Sequence, residues 1–342
     1  MDKKINLRDL QLHEMESLAK SLGQPAFRGK QVFSWIYKGV TDFGQMTNVP
    51  KTLREMLAEI SRIGRLKPLE IQKSKSDGTR KYLFELDDGN TIESVFMKYK
   101  YGNSICVSSQ AGCRMGCRFC ASTRNGLVRN LTPGEIISQL MEAEADTGEK
   151  IGHVVVMGTG EPFDNYDNLS AFMKIANDKN GLNIGMRNIT VSTCGLVPMI
   201  EKFAEDFPQV NLAISLHGAT DEIRGSMMPV NKSYPLELLI PACKAYTEKT
   251  GRRITFEYTL VNGVNDRDAD AERLCRLLQG MLCHVNLIPL NKVAESGFDT
   301  VSRSRAMEFQ QLLDRRGIPV TVRRELGADI DAACGQLRLG KK

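Results

Sequence analysis

The sequence predicts an α/β fold built on a parallel sheet, with a small helical module and a β-hairpin before it. Strand and helix patterns alternate from about residue 104 onward, whereas the chain before about residue 62 shows only short helical patterns. Repeated β–α units imply right-handed crossovers, and hence a doubly wound sheet or a full or partial barrel. About six such units are present, fewer than the eight of a standard barrel.

The N-terminal module is predicted to contain three helices. Apolar residues recur at helical spacing over about 6–22, a second helix is predicted over about 30–37, and a third follows Pro50 over about 51–62. The module therefore has its own short helices and turns before the sheet begins.

Basic and aromatic residues lie close together on the second of these helices and just before it. Arg28 and Lys30 are near Phe33 and Trp35, a combination that suits RNA contact through phosphate pairing and base stacking. The alternative is a small core with inward aromatic rings and solvated cations. We expect Phe33 and Trp35 to pack in the core, and both interpretations stay open for Arg28 and Lys30.

A hairpin is predicted between the module and the alternating region. Two strand patterns, 81–86 and 91–97, flank the turn Asp87-Asp-Gly-Asn, and Asp-Gly between alternating runs is a strong hairpin signal.

The alternating region is predicted to contribute seven strands and the helices between them. The strands are Ile105–Ser108, His153–Met157, Ile189–Ser192, Asn211–Leu216, Ile254–Leu260, His284–Leu290 and Pro319–Arg323. The helices include about 132–146, 168–178, 235–249, 266–279 and 301–315. The ligand site of such a fold forms at the carboxyl ends of its strands.

Composition and charge limit the classes of protein. The chain has 342 residues, 42% of them hydrophobic, without an apolar run long enough to span a membrane, so no membrane association is expected. Nine cysteines without an export signal favour a reducing cytoplasm over a secreted disulfide scaffold. The net charge of +5 is compatible with a nucleic-acid partner but does not establish one.

Three cysteines in one short run form the strongest motif. Cys113, Cys117 and Cys120 have the spacing Cys-x3-Cys-x2-Cys. Zinc sites and electron-transfer clusters normally use four ligands, so three thiolates on a four-iron cluster would leave one iron open to a substrate. The spacing resembles that of radical S-adenosylmethionine (SAM) enzymes. The alternative is a zinc knuckle whose fourth ligand lies elsewhere.

Polar residues follow several predicted strands. Gly160 and Glu161 come after the second strand, and a carboxylate there can accept hydrogen bonds from an ammonium group. Further candidates for SAM contact at the ends of later strands are Ser192, Ser215, Leu216, His217 and Asn291. Any one of them alone is more simply a strand-end cap, but their shared position favours ligand binding.

Two further cysteines have positions of interest. Cys106 lies on the strand that leads into the three-cysteine loop, and Cys334 lies in a C-terminal segment rich in glycine and alanine. Cys334 is either an accessible nucleophile or an unreactive tail thiol.

Taken together these motifs resemble the RlmN family of dual-specificity RNA methyltransferases. The resemblance is carried by Cys106–Cys113, the cysteine loop, Met157–Pro162, Ser215–His217, Asn286–Asn291 and Asp329–Leu337. It implies a partial (β/α)6 radical SAM barrel. The expected division is a helical RNA-binding domain (1–75), a β-hairpin linker (76–98), a radical SAM core (99–330) and a catalytic-cysteine tail (331–342).

The resemblance also implies a mechanism. One [4Fe-4S] cluster per chain is held by Cys113, Cys117 and Cys120, and two SAM molecules are consumed per turnover. Cys334 takes a methyl group from the first SAM, and a radical made from the second converts this S-methyl group into a carbon that adds to adenine. Glu93 accepts a proton, and Cys106 resolves the protein–RNA crosslink by forming a disulfide with Cys334.

The implied substrates are an adenosine in the peptidyl transferase centre of 23S ribosomal RNA and adenosine 37, 3′ of the anticodon, in transfer RNA. Methylation is expected at carbon 2, and the alternative is carbon 8, as in Cfr-type enzymes. A flavodoxin or ferredoxin is expected to supply electrons, and the enzyme is expected to be a monomer. From another class, the competing hypothesis is a non-catalytic, zinc-dependent RNA-binding protein.

Overall fold

The computed structural model describes residues 4–291, 297–324, 326–332 and 335–337. Its first part is a helical module, which comprises strand β1 (Ile5–Asn6), helices α1 (Leu12–Ser21), α2 (Ala26–Tyr37) and α3 (Lys51–Ile60), and strand β2 (Ser61–Arg62). All three predicted helices are present. The first begins at residue 12 rather than near residue 6, because residues 5 and 6 pair in parallel with residues 61 and 62.

An antiparallel segment follows the module. It consists of β3 (Lys67–Lys73), β4 (Arg80–Glu85) and β5 (Thr91–Tyr99). The predicted hairpin corresponds to β4 and β5, which pair antiparallel as expected. Strand β3 was not predicted, and it extends the same sheet across the expected domain boundary at residue 75.

The rest of the described chain alternates between strands and helices. The strands are β6 (Gly102–Cys106), β7 (Gln110–Gly112), β8 (Leu127–Asn130), β9 (His153–Val156), β10 (Ile189–Thr193), β11 (Asn211–Ser215), β12 (Ile254–Leu260), β13 (Cys283–Pro289) and β14 (Val320–Val322). The helices are α4 (Pro133–Thr147), α5 (Tyr166–Asn177), α6 (Val197–Asp206), α7 (Asp221–Met227), α8 (Leu236–Thr250), α9 (Asp268–Leu278) and α10 (Arg303–Arg315). Each predicted strand and helix of this region is found within a few residues of its expected bounds.

One central sheet organises these elements. Among the described residues it has ten strands in the order β14-β13-β12-β11-β10-β9-β6-β5-β4-β3. The strands from β6 to β14 in this sheet pair in parallel, and β3 to β6 pair antiparallel. The predicted α/β class with a mainly parallel sheet is therefore confirmed.

The two ends of this sheet come together. The chain leaving β14 reaches the turn between β3 and β4, where the Gly327 N–H donates to Asp77 Oδ2 (2.9 Å) and the Lys75 N–H donates to Asp329 Oδ2 (3.0 Å). These contacts close the open side of the sheet with a loop rather than with a strand pair.

The two faces of the sheet have different surroundings, as strand β12 illustrates. Tyr258 faces the helices and stacks on Phe309 of α10, with ring centroids 5.6 Å apart. Glu257 and Thr259, its neighbours in the chain, face the opposite side and line a cavity. The alternation of side chains along a strand thus separates a packed outer face from a polar inner face.

Buried charge attaches the helical module to the barrel. The Arg8 guanidinium is buried and donates to Ser138 Oγ (2.8 Å) and Glu142 Oε1 (3.1 Å) on α4. Burial lowers the pKa of Arg8, and the Glu142 carboxylate opposes this shift. Within the described residues, no helix is both long enough and apolar enough to cross a membrane.

Candidate active site

Two cavities lie side by side at the carboxyl ends of the parallel strands. The inner cavity is the smaller of the two, and the outer cavity has a volume of about 870 Å³. Both are lined by Met157, Ile288, Asn291 and Arg323. Because they share these four residues, groups bound in the two cavities would lie next to each other.

The three-cysteine loop forms one wall of the inner cavity. Cys113, Cys117 and Cys120 all line it. The loop is fixed by backbone hydrogen bonds from the Cys113 N–H to the Gly126 carbonyl (2.9 Å) and from the Cys120 N–H to the Cys117 carbonyl (3.1 Å). Gly116, with φ of 72°, makes the turn between the first two cysteines, where a side chain would be strained.

Contacts with the opposite side of the barrel hold this loop in place. The Arg118 N–H donates to the Met227 carbonyl at the end of α7 (2.9 Å). The Phe119 ring meets the His217 ring edge-on, with centroids 4.9 Å apart. The loop is therefore anchored at several points rather than freely exposed.

The thiols fit an iron–sulfur cluster by their chemistry. Burial raises the pKa of Cys113 to about 12 and also raises the pKa of Cys117, so their thiolates need a positive partner such as iron. Among the described residues no three His, Cys, Asp or Glu side chains group closely enough to hold one metal ion. An iron–sulfur cluster does not require the three side chains to converge on one atom. Each thiolate would bind a different iron, so the three need only line the same cavity.

Glu161 occupies the floor of the inner cavity beside this loop. Its side chain is buried, and its two carboxylate oxygens accept hydrogen bonds from the Phe163 N–H (3.0 Å) and the Cys194 N–H (2.8 Å). Burial raises the pKa of Glu161, and these hydrogen bonds oppose the shift. The carboxylate is thus fixed in one orientation and available to an ammonium group.

The glycines before Glu161 pack closely on the neighbouring chain. A Cβ on Gly160, whose φ is 108°, would lie 2.6 Å from the Cβ of Gln110, and one on Gly158 would lie 2.8 Å from the Ser108 nitrogen. Both glycines therefore permit close packing of this turn on the chain before the cysteine loop, although both also line the inner cavity.

His217 lies in the inner cavity in a defined protonation state. Its Nδ1 accepts a hydrogen bond from the Thr259 N–H (3.0 Å), which leaves Nε2 to carry the proton. Burial, together with the nearby Arg224 cation, lowers the pKa of His217 to about 3. The imidazole is therefore neutral at physiological pH and can act only as a hydrogen-bond donor through Nε2.

The remaining predicted SAM contacts divide into two groups. Ser192, Ser215 and Asn291 line the inner cavity together with Gly160, Glu161 and His217. Leu216 does not: its side chain is fully buried in the main hydrophobic core, and its N–H donates to the Glu257 carbonyl (3.0 Å).

Cys106 lies in the outer cavity, on the other side of the shared residues. It packs with Val95 and Met97 of β5 and with Ala332 and Leu337 of the C-terminal segment. Glu93 lies two residues before Val95 on the same strand, and its carboxylate is buried 3.3 Å from Lys81 Nζ. Glu93 is therefore not the solvent-facing carboxylate that its strand position alone would suggest.

The C-terminal segment is tied down on both sides of position 334. Before it, Lys81 Nζ donates to the Asp331 carbonyl (3.2 Å). After it, the Ala121 N–H donates to the Gly335 carbonyl (2.8 Å) and Ser122 Oγ donates to the Leu337 carbonyl (2.8 Å). The described neighbours of position 334 thus lie between Lys81 and the residues just after the cysteine loop.

Cys334 itself lies outside the described residues. The disulfide between Cys106 and Cys334 that the resemblance implied therefore stays a prediction about an intermediate of the reaction.

Sequence reasoning missed several residues of the two cavities. Cys194 and Glu257 were not singled out from the sequence, and both line the inner cavity. Lys81 and Gln110 contact predicted site residues, and the Gln110 side chain accepts from the Glu161 N–H (2.8 Å). The position of Cys194 just after β10 was the available signal, whereas no local pattern marks Glu257 or Lys81.

The chain matches two protein-family models. Residues 107–275 match the radical SAM superfamily, and residues 5–63 match the ribosomal RNA large subunit methyltransferase N-terminal domain. The first match covers the cysteine loop and most of the barrel, and the second covers the helical module.

Curated relatives and a solved structure match over nearly the whole chain. A protein of Alkaliphilus oremlandii is 55% identical and one of Thermoanaerobacter sp. (strain X514) is 54% identical; each alignment covers 97–98% of both chains. Both relatives are named probable dual-specificity RNA methyltransferase RlmN. The crystal structure of a radical SAM methyltransferase from Sphaerobacter thermophilus is 47% identical, with a TM-score of 0.93 over 97% of this chain and 99% of the other.

Proposed function

The chain belongs to the RlmN family of radical SAM RNA methyltransferases, and on that premise we propose that it methylates carbon 2 of adenosine in 23S ribosomal RNA and in transfer RNA. The observation that carries the proposal is the pair of adjoining cavities, with three thiols in one and Cys106 in the other. A cofactor bound in the inner cavity would face a substrate bound in the outer one.

The inner cavity would hold the cluster and SAM. Cys113, Cys117 and Cys120 would bind three irons of a [4Fe-4S] cluster. When bound, the cluster and SAM supply the methyl group and the radical chemistry that an unreactive aromatic carbon requires. Glu161 would accept a hydrogen bond from the ammonium group of SAM, since its carboxylate is fixed and buried next to the cysteine loop.

Neutral and small polar groups would bind the rest of SAM. His217 would donate a hydrogen bond through Nε2 without adding charge next to a cationic ligand. Ser192, Ser215 and Asn291 offer hydroxyl and amide groups along the same cavity. Because these groups come from successive strands, they suit an elongated ligand that lies across the sheet.

The outer cavity would receive the target adenine. Its volume of about 870 Å³ lies within the usual range for ligand pockets, and Met157 and Ile288 offer apolar surface to a base. The exposed residues Arg303 and Arg324 lie at this cavity and would pair with phosphates that flank an extruded nucleotide. Extrusion costs least for a base that is already unstacked.

The residues around Cys106 would complete the methyl transfer. Cys334 would first take a methyl group from SAM, and its S-methyl carbon would later bond to carbon 2 of adenine. Glu93 would accept the proton from carbon 2 as the adduct gives up one electron to the iron–sulfur cluster. The Cys106 thiolate would then attack the sulfur of Cys334, which forms a disulfide and breaks the bond between that sulfur and the transferred carbon, and this carbon would take up a proton to become the methyl group.

The helical module would bind the RNA outside the active site. Phe33 is fully buried in the core as predicted, whereas Trp35 is only partly buried. Trp35 lies at a surface groove of about 380 Å³ together with exposed Phe27, Lys30 and Lys38. Lys38 Nζ lies 4.8 Å from the Trp35 ring. These aromatic and cationic groups suit base stacking and phosphate pairing.

A trapping experiment tests this mechanism. The reconstituted Cys106→Ala variant, given SAM, reductant and substrate RNA, is expected to accumulate RNA covalently attached to the protein, because no thiol remains to release it. Cys283→Ala is the control, since Cys283 is buried in the core away from both cavities. Free methylated RNA as the only product of Cys106→Ala would contradict the resolving role.

A further inference from the structure

Glu257 is a buried carboxylate to which the proposed mechanism gives no part. It lies on β12 with 6% of its surface exposed, and it lines the inner cavity. Its Oε2 accepts a hydrogen bond from Asn286 Nδ2 on β13 (2.9 Å). The residue opposite it on β11 is Ser215, so the carboxylate belongs to a polar row that crosses three neighbouring strands.

Burying an ionised carboxylate in this position destabilises the fold unless the charge is compensated by neighbouring groups or by a bound ligand. Burial raises the pKa of Glu257, while the nearby Arg323 cation and the Asn286 hydrogen bond oppose the shift. Each carboxylate oxygen can accept two hydrogen bonds, so one amide donor leaves acceptor capacity on the cavity side. A ligand with hydroxyl donors would use it.

The order of the strands indicates which part of SAM would lie there. Glu161 and Cys194 follow β9 and β10, Ser215 and Glu257 lie on β11 and β12, and Asn291 follows β13. In SAM the ribose links the methionine part to the adenine. If the methionine ammonium lies at Glu161 and the adenine lies toward Asn291, the ribose lies over β11 and β12.

The chemistry of the lining residues points to the same assignment. Among the described residues of the inner cavity, the acidic side chains are Glu161 and Glu257. Both oxygens of Glu161 already accept backbone N–H groups. Ser215 can donate as well as accept, whereas an ionised Glu257 can only accept. Of these side chains, Glu257 is thus the one best suited to accept a hydrogen bond from an uncharged donor such as a hydroxyl group.

We propose that the Glu257 carboxylate accepts a hydrogen bond from a ribose hydroxyl of SAM and so fixes the sugar between the cluster and the outer cavity. The assignment rests on the proposed use of SAM, but not on which RNA or which adenine carbon is methylated. Fixing the ribose would restrict the orientation of its 5′ carbon within the inner cavity.

The proposal is tested by measuring SAM binding to the cluster-loaded protein under anaerobic conditions without RNA. Equilibrium dialysis compares SAM with its 2′-deoxy and 3′-deoxy analogues. The wild-type protein is expected to bind at least one analogue about ten- to a hundredfold more weakly than SAM, the loss typical of a hydrogen bond to a charged group. Equal affinity of the wild type for SAM and both analogues would overturn the proposal.

The Glu257→Gln variant supplies the second half of the test. Glutamine keeps an acceptor for Asn286 but presents an NH2 group to the cavity. It is expected to bind SAM about ten- to a hundredfold more weakly and to discriminate less than about threefold between SAM and the analogues. The control is Glu142→Gln, because Glu142 is an equally buried glutamate, 6% exposed, that lies outside both cavities.

The possible outcomes separate this proposal from the proposed function. A variant that discriminates among the ligands as strongly as the wild type overturns the role of Glu257, even if the protein methylates RNA. A wild type that carries a cluster but does not bind SAM overturns the proposed function as well. Iron content measured on each variant shows whether the barrel and its cluster are intact, and the analogue series on the wild type decides the matter if Glu257→Gln does not fold.

Discussion

Lys81 connects two residues that are far apart in the sequence. Its ammonium group lies 3.3 Å from Glu93 and donates to the carbonyl of Asp331, a residue 250 positions away. The side chain is 11% exposed, so the pair with Glu93 is largely screened from water. Lys81 therefore holds the expected proton acceptor and the segment leading to Cys334 in one arrangement.

We expect Lys81→Met to slow the release of product from the protein–RNA adduct by about tenfold or more. Methionine cannot stabilise the ionised Glu93 or bind the Asp331 carbonyl, so both groups lose their fixed positions. The measurement is the rate at which adduct disappears after rapid mixing with RNA, together with SAM binding, which is expected to be unchanged. Lys98→Met is the control, because Lys98 pairs with Glu149 at the surface. An unchanged rate in Lys81→Met would refute the positioning role.

Residues of the site differ in how far the sequence predicts them. Cys113, Cys117 and Cys120 were predicted because their spacing is local and their chemistry is distinctive. Lys81 and Glu257 were not, because each acts through partners on other strands or in the distant C-terminal segment. For a lysine or glutamate in an alternating strand, the neighbouring sequence does not predict that the side chain will be buried next to a ligand.

At the scale of elements, the turn between β3 and β4 binds the C-terminal segment through hydrogen bonds. Asp77 accepts hydrogen bonds from the Gly327 N–H and the Thr79 N–H, both at 2.9 Å. Partial burial alone would raise the pKa of Asp77, but these hydrogen bonds outweigh it and lower the pKa to about 2. Because this pKa lies below that of a carboxyl group in the unfolded chain, the Asp77 hydrogen bonds stabilise the fold above about pH 4. Their contribution is lost as the pH falls toward 2.

Asp77→Ala is expected to loosen the segment that follows β14 without unfolding the barrel. Losing an acceptor for two N–H groups costs about 1 to 3 kcal/mol locally, so amide hydrogen exchange over residues 326–332 should accelerate by about tenfold or more. Asp87→Ala, in the turn between β4 and β5, is the control. Unchanged exchange over 326–332 in Asp77→Ala would show that other contacts hold the segment.

The elements themselves were predicted with uneven success for physical reasons. The parallel strands carry continuous apolar or alternating patterns, because they are buried by helices and by the barrel interior. Strand β3 was missed because most of its residues are exposed at the edge of the sheet, so its sequence, Lys67–Lys73, lacks a buried face. The closure of the sheet by the Asp77 contacts could not be read from local patterns.

For the molecule as a whole, RNA binding is expected to involve the helical module as well as the barrel. Replacing Lys30 and Lys38 together by glutamate should weaken RNA binding and reduce the slope of log affinity against log salt by about one for each phosphate that no longer pairs with a lysine. The measurement is a filter-binding titration at several salt concentrations. Glutamates at Lys244 and Lys249, on the remote helix α8, are the control. Equal salt-dependence slopes for the two double variants would show that the surface groove at Trp35 does not contact RNA.

The regiochemistry of methyl transfer is the central claim about the whole enzyme. The direct test incubates the reconstituted protein with 23S ribosomal RNA or transfer RNA and with SAM whose methyl group is fully deuterated, then analyses the nucleosides by mass spectrometry. The expected product is 2-methyladenosine that has lost one of the three deuterons, because one deuterium is removed from the S-methyl group of Cys334 before the carbon reaches adenine. The appearance of 8-methyladenosine, or of a methyl group that keeps all three deuterons, would contradict carbon-2 methylation through an S-methylcysteine.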